Sequence, residues 1–287
     1  RRARRGSVTG RLARACAGLL LALAAGLAPA RAPAERLVVA TTTSVRDSGL
    51  MDALLPLFES ESGYDVELIA VGSGAALRMA ATGEADVVVS HAPEEEQRLV
   101  AEGALEDRRP FMYGYFVVAG PAADPARVAE AASASDAVRR IAAAEAPYVS
   151  RGDESGTHLR EQGLFRAAGL AHAARWTGFA STGSGMGPTL LVAGERRAYA
   201  LADRATFEAF RARTDLAALF EEREPALRND YAVLRPAARG RAPRVVDVAG
   251  ARRFADFLLA PATQARIGQF GRDADGAPLF HPGVGER

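Results

Sequence analysis

Residues 37–44, Leu-Val-Val-Ala-Thr-Thr-Thr-Ser, place a short apolar run directly before four hydroxyl side chains. The same order of an apolar run and small polar residues returns at 66–74, Val-Glu-Leu-Ile-Ala-Val-Gly-Ser-Gly, and at 86–91, Asp-Val-Val-Val-Ser-His. Between the first two runs, apolar residues recur at helical spacing over 49–58. Valine-rich strands that alternate with helices predict an α/β fold with a parallel sheet covered on both faces. Because ligands bind at the carboxyl ends of such strands, we expect a polar ligand there.

Two further β-like runs are spaced so that they can connect two lobes. Residues 111–120 form the longer run, Phe-Met-Tyr-Gly-Tyr-Phe-Val-Val-Ala-Gly, and residues 229–234 form the second. Helical and strand-like segments alternate between them, including an alanine-rich region at 122–146 that we predict to be helical. We therefore predict two α/β lobes joined by two crossing segments. The predicted division is 1–34 for a signal peptide, 35–113 for the first part of lobe 1, 114–230 for lobe 2 and 231–287 for the return of lobe 1.

The first 34 residues have the features of a secretory signal peptide. They hold seven arginines and no acidic residue, and an almost wholly apolar stretch with small-residue cleavage sites follows the basic part. This stretch is shorter than the ~20 residues that a membrane span needs. Without these arginines, 29 basic residues remain against 35 acidic ones, a net charge of −6 that argues against nucleic acid as a partner. We expect an exported, soluble protein in the periplasm or another extracytoplasmic space.

Composition excludes several classes of chemistry. The 287 residues are 48% hydrophobic and 25% charged, as in ordinary globular proteins. A single cysteine, Cys16, excludes a disulfide framework and a cysteine-based zinc or iron–sulfur site. The lack of lysine excludes a Walker A loop and Schiff-base chemistry. The four histidines are scattered, no serine lies in a Gly-x-Ser-x-Gly elbow, and we expect no cofactor.

The segment 150–158, Ser-Arg-Gly-Asp-Glu-Ser-Gly-Thr-His, carries the strongest indication of function. It follows a predicted strand and opens a predicted helix, where unpaired N–H groups and the helix dipole attract anions. In Ser155-Gly156-Thr157 the glycine permits a close backbone approach and both hydroxyls can donate, while Arg151 adds a planar charge suited to a tetrahedral oxyanion. The alternative is an ordinary helix cap, because serine and threonine are preferred there anyway. Asp153 and Glu154 either orient Arg151 or face solvent, and we favour Asp153 as the orienting carboxylate.

Three other loops are open to two interpretations. The run Thr41–Ser44 is either a cradle of donors or a β-prone run followed by a capping serine. The sequence Gly72–Gly74 is common in loops. The sequence Gly183–Gly187 has the glycine content of a dinucleotide-binding loop, but Pro188 follows and no Gly-x-Gly-x-x-Gly motif is completed. We predict a helix entry in the second lobe at that point.

Motifs extending over nearly all of the chain after residue 34 follow one another in a characteristic order. They are Ala40–Ser44, Asp47–Leu50, Val71–Gly74, Gly83–Val89, Arg108–Tyr113, Ser150–His158, Thr182–Gly187 and Ala198–Arg204. In this order they resemble the tungstate-binding, TupA-type substrate-binding proteins of ABC transporters. The combination of Thr-Thr-Thr-Ser with Ser-Arg-Gly-Asp-x-Ser-Gly-Thr-His is the specific part of the resemblance, whereas Gly-Ser-Gly is not specific.

The resemblance implies a type II periplasmic-binding-protein fold with an oxyanion, tungstate or molybdate, clamped between two α/β lobes. It implies a monomeric binding protein that is not an enzyme and that delivers the anion to the membrane permease of an ABC importer. The ligand-binding residues that it implies are Thr43, Ser44, Ser73, Arg151, Ser155, Gly156 and Thr157.

Departures and alternatives remain beside this resemblance. Ser90 stands where we expect valine, Gly114-Tyr115 where we expect Asn-Asp, and Ser184 where we expect glutamine, which would make the pocket roomier. Related phosphate-binding proteins use a similar Arg-x-Asp-x-Ser-Gly-Thr segment, so a receptor for phosphate or another oxyanion is one alternative. An alternative from another class is a secreted serine hydrolase that uses Ser155 with His158.

The protonation of the anion predicts which one the site accepts. At neutral pH tungstate and molybdate carry no proton, whereas phosphate carries at least one and gains from a carboxylate acceptor that would repel tungstate. We expect Asp86 at the far end of its strand, Asp47 at the start of the first helix, and Arg151 as the only formal positive charge. The hydroxyls that we assign to the strand ends are those of Thr43, Ser44, Ser73 and Ser90. The prediction is a site of donors only.

Overall fold

The computed structural model of the protein describes residues 34–170, 176–221, 225–237, 244–273 and 276–283. The predicted signal peptide therefore lies outside the described residues except for Ala34. Within the part of the chain that is described, no helix is both long and apolar enough to cross a membrane.

The described residues form ten strands and ten α-helices that alternate through most of the chain. The strands are β1 (Arg36–Thr42), β2 (Asp65–Val71), β3 (Val87–Ser90), β4 (Leu105–Pro121), β5 (Tyr148–Ser150), β6 (Phe179–Ser181), β7 (Ala200–Asp203), β8 (Leu216–Phe220), β9 (Arg228–Pro236) and β10 (His281–Pro282). The helices are α1 (Thr43–Asp47), α2 (Leu50–Ser62), α3 (Ser73–Ala81), α4 (Pro93–Ala101), α5 (Ala134–Ala143), α6 (Gly156–Ala167), α7 (Met186–Arg196), α8 (Arg204–Phe210), α9 (Val248–Leu259) and α10 (Pro261–Gln269).

Lobe 1 is built on a sheet with the strand order β10-β4-β9-β3-β1-β2. The three valine-rich strands pair in parallel, β1 with both β2 and β3, as the sequence predicts. The sheet then becomes antiparallel, because β9 runs against both β3 and β4. Two apolar clusters cover its faces, one around Phe58 and Phe254 and one around Leu77 and Leu234. The chain is a mixed α/β protein, and the sheet of lobe 1 is parallel only across β1, β2 and β3, the strands for which the sequence predicts it.

Lobe 2 begins where β4 changes its partners. Up to Tyr115 this long strand pairs with β9, and from Phe116 onward it pairs with β7 and β8. The short strands β5 and β6 pair in parallel beside them. Buried clusters around Tyr148 and around Leu190 pack against the helices of this lobe. The two segments predicted to cross between lobes therefore lie side by side as one antiparallel pair.

Some helices differ from their predicted extents. The alanine-rich region 122–146 is helical only in one 3₁₀ turn and in α5, which Ser133 begins by accepting from the Asp136 N–H. The prediction that Asp47 starts the first long helix is wrong, because Asp47 ends the short helix α1 and Gly49 separates it from α2. Asp86 lies at the amino end of β3, as predicted, where it is buried and paired with Arg244.

Candidate functional site

Arg151 follows β5 at its carboxyl end and is 2% exposed. The next residue, Gly152, has φ +61°, and a Cβ there would lie 1.7 Å from Ser181 Oγ. This turn therefore requires glycine, and it brings Asp153 back beside the guanidinium. The Arg151 Nη2 donates to Asp153 Oδ2 over 2.6 Å, with Nε also in reach at 3.2 Å. Asp153 orients Arg151, as the sequence predicts.

The remaining guanidinium contacts are to hydroxyls of both lobes. Nη1 lies 3.5 Å from Thr157 Oγ1 in α6, and Nη2 lies 3.3 Å from Thr43 Oγ1 at the start of α1. Because an arginine side chain can only donate, both hydroxyls accept from it and keep their own protons for another acceptor. A permanent positive charge that is paired with Asp153 thus also contacts one hydroxyl group from each lobe.

The start of α6 shows contacts that fit both interpretations of its sequence, the ordinary helix cap and the group of donors. Ser155 is a true N-cap, since its Oγ accepts from the His158 N–H over 3.3 Å. The neighbouring Gly156 N–H donates to Ser73 Oγ of lobe 1 over 3.0 Å. Ser73 in turn begins α3 after β2. Two helix amino ends from different lobes therefore meet at one hydrogen bond.

Sequence reasoning missed His91, which follows β3 and is 3% exposed. Its Nε2 lies 3.3 Å from Ser44 Oγ, and its Nδ1 lies 3.0 Å from Asn229 Oδ1 in β9. A Cβ at Gly156 would lie only 2.8 Å from the His91 carbonyl oxygen. The signal for His91 was its place at a strand's carboxyl end, the same rule that selects Ser44 and Ser73.

The structure brings the seven predicted ligand residues into one neighbourhood. A network of hydrogen bonds connects Thr43, Arg151 and Thr157, and a separate one connects Ser73 and Gly156. Ser44 follows Thr43 in the chain and bonds His91, and Ser155 caps α6 and donates its N–H to Asp153 Oδ1 over 3.2 Å. The predicted donor Ser90 is fully buried.

A pocket of about 310 Å³ opens beside this cluster, and its wall bears on two expectations. Among the described residues, Thr43 is the one predicted ligand in its wall, which is completed by Gly72, Gly74, Ala75, Arg78, Asp153, Glu154, Gly183, Ser184 and Gly185. Arg78 lines this pocket, so a second formal positive charge lies beside the cluster that holds Arg151. The wall also includes two carboxylates, those of Asp153 and Glu154.

The pKa of Asp153 reflects its position beside Arg151. Burial by itself would raise the pKa of Asp153, but the Arg151 charge and the bonds from Ser155 outweigh burial and lower it. Both carboxylate oxygens are already acceptors, Oδ2 from Arg151 and Oδ1 from the Ser155 N–H. The negative charge of Asp153 is thus stabilised by donors of the protein itself.

The geometry opposes the serine hydrolase alternative. The Nδ1 of His158 accepts from the Glu154 N–H over 3.0 Å, and its Nε2 lies 3.0 Å from Gln162 Nε2. Ser155 meets His158 only through the backbone N–H. A base that is occupied at both ring nitrogens cannot take the proton of Ser155 in this arrangement.

Comparison with known proteins gives a consistent family. A model of the PBP superfamily domain matches residues 27–262. The tungstate-binding protein TupA of Peptoclostridium acidaminophilum is 36% identical over 248 residues, which cover 86% of this chain and 85% of that protein. Solved structures of similar fold include the tungstate ABC transporter protein from Geobacter sulfurreducens and TupA from Desulfovibrio alaskensis G20. The first is 40% identical with a TM-score of 0.75 and covers 82% of this chain and 99% of its own. The second is 36% identical with a TM-score of 0.72 and covers 87% and 99%.

Proposed function

The chain belongs to the PBP superfamily and, within it, to the family of the TupA tungstate-binding proteins, and from this premise we propose that it captures tungstate, or molybdate, for an ABC importer. The protein is a binding protein and not an enzyme. It takes the free oxyanion between its two lobes and presents it to a membrane permease. The metal is part of the transported anion, and the protein itself uses no cofactor.

The observation that carries this proposal is the buried guanidinium of Arg151 among hydroxyl donors of both lobes. A tetrahedral dianion needs charge and several donors that converge from different directions. Arg151 supplies the charge, and the hydroxyls of Thr43 and Thr157 can turn their protons toward an anion. The proposed ligand set is Thr43, Ser44, Ser73, Arg151, Ser155, Gly156 and Thr157.

Arg78 extends this site outward. It is exposed and lies one helical turn from Gly74, whose Cβ position is 3.3 Å from Arg78 Nη1. An exposed arginine at the pocket wall attracts anions from solution, and salt weakens this attraction. We assign Arg78 to capture and Arg151 to retention.

Selectivity against phosphate follows from the state of Asp153. A phosphate that carries a proton gains only from an acceptor with a free lone pair that faces it. Both oxygens of Asp153 already accept from Arg151 and Ser155, so fewer of the carboxylate's lone pairs remain for that proton. Tungstate has no proton to donate and gains from the donors of the site instead.

Competition calorimetry at pH 7.5 tests the proposal. We expect tight binding of tungstate and molybdate, weak binding of sulfate because its bonds are shorter, and no displacement of tungstate by an equal concentration of phosphate. Displacement by phosphate at equal concentration would replace tungstate by phosphate as the substrate. Heat from phosphate or sulfate alone, with none from tungstate, would reject the tungstate assignment altogether.

The partners and location follow from the same family membership. We propose that the protein acts outside the cytoplasm after removal of the segment 1–34, as a monomer that docks on a membrane permease. The net charge of −6 without the seven arginines of that segment supports the exclusion of nucleic acid. Size-exclusion chromatography with light scattering tests the monomer, and purification of the processed chain from an extracytoplasmic fraction tests the location.

A further inference from the structure

Glu161 is a buried carboxylic side chain of lobe 2 that the proposed ligand set does not use. It is 3% exposed, and its Oε2 accepts from Ser150 Oγ over 2.5 Å. Ser150 is itself buried and directly precedes Arg151 in the chain. The bond therefore connects helix α6 with the strand end from which the guanidinium of the site extends.

This bond is the middle one of three contacts that join one face of α6 to β5 and the residue after it. Residues 157, 161 and 165 follow one another at intervals of four, so their side chains lie on the same side of the helix. The contacts join Tyr148 to Phe165, Ser150 to Glu161 and Arg151 to Thr157. Along this face the packing thus changes from two aromatic rings to a buried hydrogen bond and then to two side chains of the proposed ligand set.

The outermost of these contacts is too weak to fix the spacing of the site by itself. Arg151 Nη1 lies 3.5 Å from Thr157 Oγ1, at the outer limit of a hydrogen bond. The bond between Ser150 and Glu161 is shorter and lies away from solvent. On the other side of the strand, the Ser150 carbonyl oxygen accepts from the Thr182 N–H over 3.0 Å. The backbone that leads into Arg151 is therefore held from two sides, by the residue after β6 and by α6.

The carboxyl group of Glu161 can keep this bond with or without a proton. Burial raises the pKa of Glu161 to about 7, against the bond from Ser150, and the nearby charges of Asp153 and Arg151 act in opposite directions. Because the group has two oxygens, Oε1 can hold a proton while Oε2 accepts from Ser150. A glutamine amide has nearly the shape of the protonated acid, and its oxygen also accepts. Glutamine should therefore preserve the bond that alanine removes.

We propose that Glu161 is a positioning residue of the anion site, which acts through Ser150 to hold Arg151 and the amino end of α6 at the separation that the anion requires. The inference rests on the proposed function, in which Arg151 and Thr157 bind the anion. Donors that are already held in place lose less freedom when the anion arrives, and affinity is higher for that reason. The exposed Arg78 has no part in this connection, so loss of Glu161 should speed the release of tungstate and leave its association rate nearly unchanged.

The experiment removes the bond from either end and measures tungstate binding by calorimetry and stopped flow at pH 7.5, on variants that circular dichroism shows to be folded. Glu161→Ala should bind tungstate about tenfold more weakly, as when a partner that orients a metal-ligating side chain is lost. Glu161→Gln should bind no more than about twofold more weakly than the wild type, because its amide oxygen still accepts from Ser150. Ser150→Ala should reproduce the loss, and the double variant Ser150→Ala/Glu161→Ala should bind no more weakly than the weaker single variant.

Ile141→Ala is the control for a loss of stability alone. Ile141 is fully buried in the same apolar cluster as Tyr148 and Phe165, but its side chain forms no hydrogen bond. This variant should have a lower Tm than the wild type and the same Kd for tungstate. An equal loss of affinity in Ile141→Ala and Glu161→Ala would mean that binding follows the stability of lobe 2, and it would overturn the inference.

The remaining outcomes separate this inference from the proposed function. Wild-type protein that does not bind tungstate would reject the proposed function, and the inference with it. Where the wild type binds, equal affinities for the wild type, Ser150→Ala and Glu161→Ala would overturn the role of Glu161 alone. The same holds if Glu161→Gln binds as weakly as Glu161→Ala, or if the two losses add in the double variant, since the side chains would then act separately. Ser150→Ala decides the question where Glu161→Ala does not fold.

Discussion

At the scale of single residues, Arg151 supplies the charge that a buried dianion requires. Removing one partner of a buried, hydrogen-bonded charge pair costs ~2–5 kcal/mol, whereas a neutral hydrogen bond contributes roughly 0.5–1.5 kcal/mol. We expect Arg151→Ala to weaken tungstate binding by more than about 30-fold, since it also leaves the Asp153 charge uncompensated near the anion. Arg151→Lys should not restore full affinity, because a lysine cannot bond Asp153, Thr43 and Thr157 from one planar group. Calorimetry measures both.

Arg78→Ala is the matched control for the loss of an arginine at this pocket. Arg78 is exposed, so we expect its loss to raise Kd by only a few-fold, through slower association of the anion. The difference in association rate from the wild type should shrink as salt is added, because salt screens the attraction. Stopped-flow measurements at two salt concentrations resolve the rate. A dissociation constant within a factor of two of wild type for Arg151→Ala, or a larger loss for Arg78→Ala than for Arg151→Ala, would contradict the division of roles.

Glu161 makes a pH-dependent contribution to stability beneath the site. Its Oε2 accepts from Ser150 Oγ over 2.5 Å, and burial raises the pKa of Glu161 from 4.5 to about 7. The unfolded chain ionises this carboxyl above its ordinary pKa while the folded chain keeps the proton until about pH 7. Stability is therefore lost as pH rises from about 4.5 to 7, by up to about 3 kcal/mol.

Glu161→Gln removes this titration. We expect urea unfolding of the variant to give a free energy that falls less between pH 5 and pH 7.5 than that of the wild type. Glu102→Gln, which removes an exposed carboxylate from the end of α4, should behave as the wild type does. Parallel profiles for wild type and Glu161→Gln would show that Glu161 titrates normally in the folded chain.

At the scale of elements, the amino end of α6 must approach lobe 1 without a side chain. Gly156→Ala would place a methyl group 2.8 Å from the His91 carbonyl oxygen, which is shorter than any ordinary contact. We expect this variant to fold but to bind tungstate at least tenfold more weakly, because the lobes cannot meet fully.

Gly163→Ala in the same helix is its control. A Cβ there meets nothing closer than Arg166 Nη2 at 3.9 Å, so affinity should stay the same while stability rises by roughly 0.5–1 kcal/mol. Equal affinities for Gly156→Ala and wild type would mean that α6 does not close on His91.

An element could be predicted from the sequence where the residues that determine it lie within the segment itself. The apolar runs at 37–40, 66–71 and 87–89 predict β1, β2 and β3, because periodicity and valine content lie in the segment itself. The pairing of β4 with β9 joins segments more than a hundred residues apart, and only the crossing itself was predicted. The short helix α1 was missed because Thr43–Asp47 is too short for a helical period.

The candidate site divides in the same way. Arg151, Gly156 and Thr157 stand in one recognisable segment, and motif chemistry selects them. His91 follows its strand as Ser44 and Ser73 do, but its partner Asn229 comes from another part of the chain. Arg78 lies in the last turn of α3, where an exposed arginine looks like any solvated helix residue. Its place in the pocket emerges only from the packing of α3 against lobe 2.

At the scale of the whole molecule, hydrogen bonds between described residues of the site region join the lobes, from Arg151 to Thr43, from Gly156 to Ser73 and from Thr206 to the Ser44 carbonyl oxygen. An anion that binds between them adds a common partner for donors of both lobes and shifts the population toward this closed form. The hinge of this closure should lie where β4 and β9 cross between the lobes, near residues 113–116 and 229–231. Small-angle X-ray scattering should therefore give a smaller radius of gyration with saturating tungstate than without it.

The same closure should appear as thermal stabilisation, and the two measurements check each other. Ligand at a hundred times Kd stabilises the folded protein by about 2.7 kcal/mol, so Tm should rise with tungstate and stay unchanged with phosphate. Gly156→Ala supplies the decisive comparison. At a tungstate concentration that saturates this variant, its Tm should rise, but its radius of gyration should contract less than that of the wild type. A scattering profile that does not change in wild-type protein, together with a raised Tm, would mean that the anion enters a cleft that is already closed.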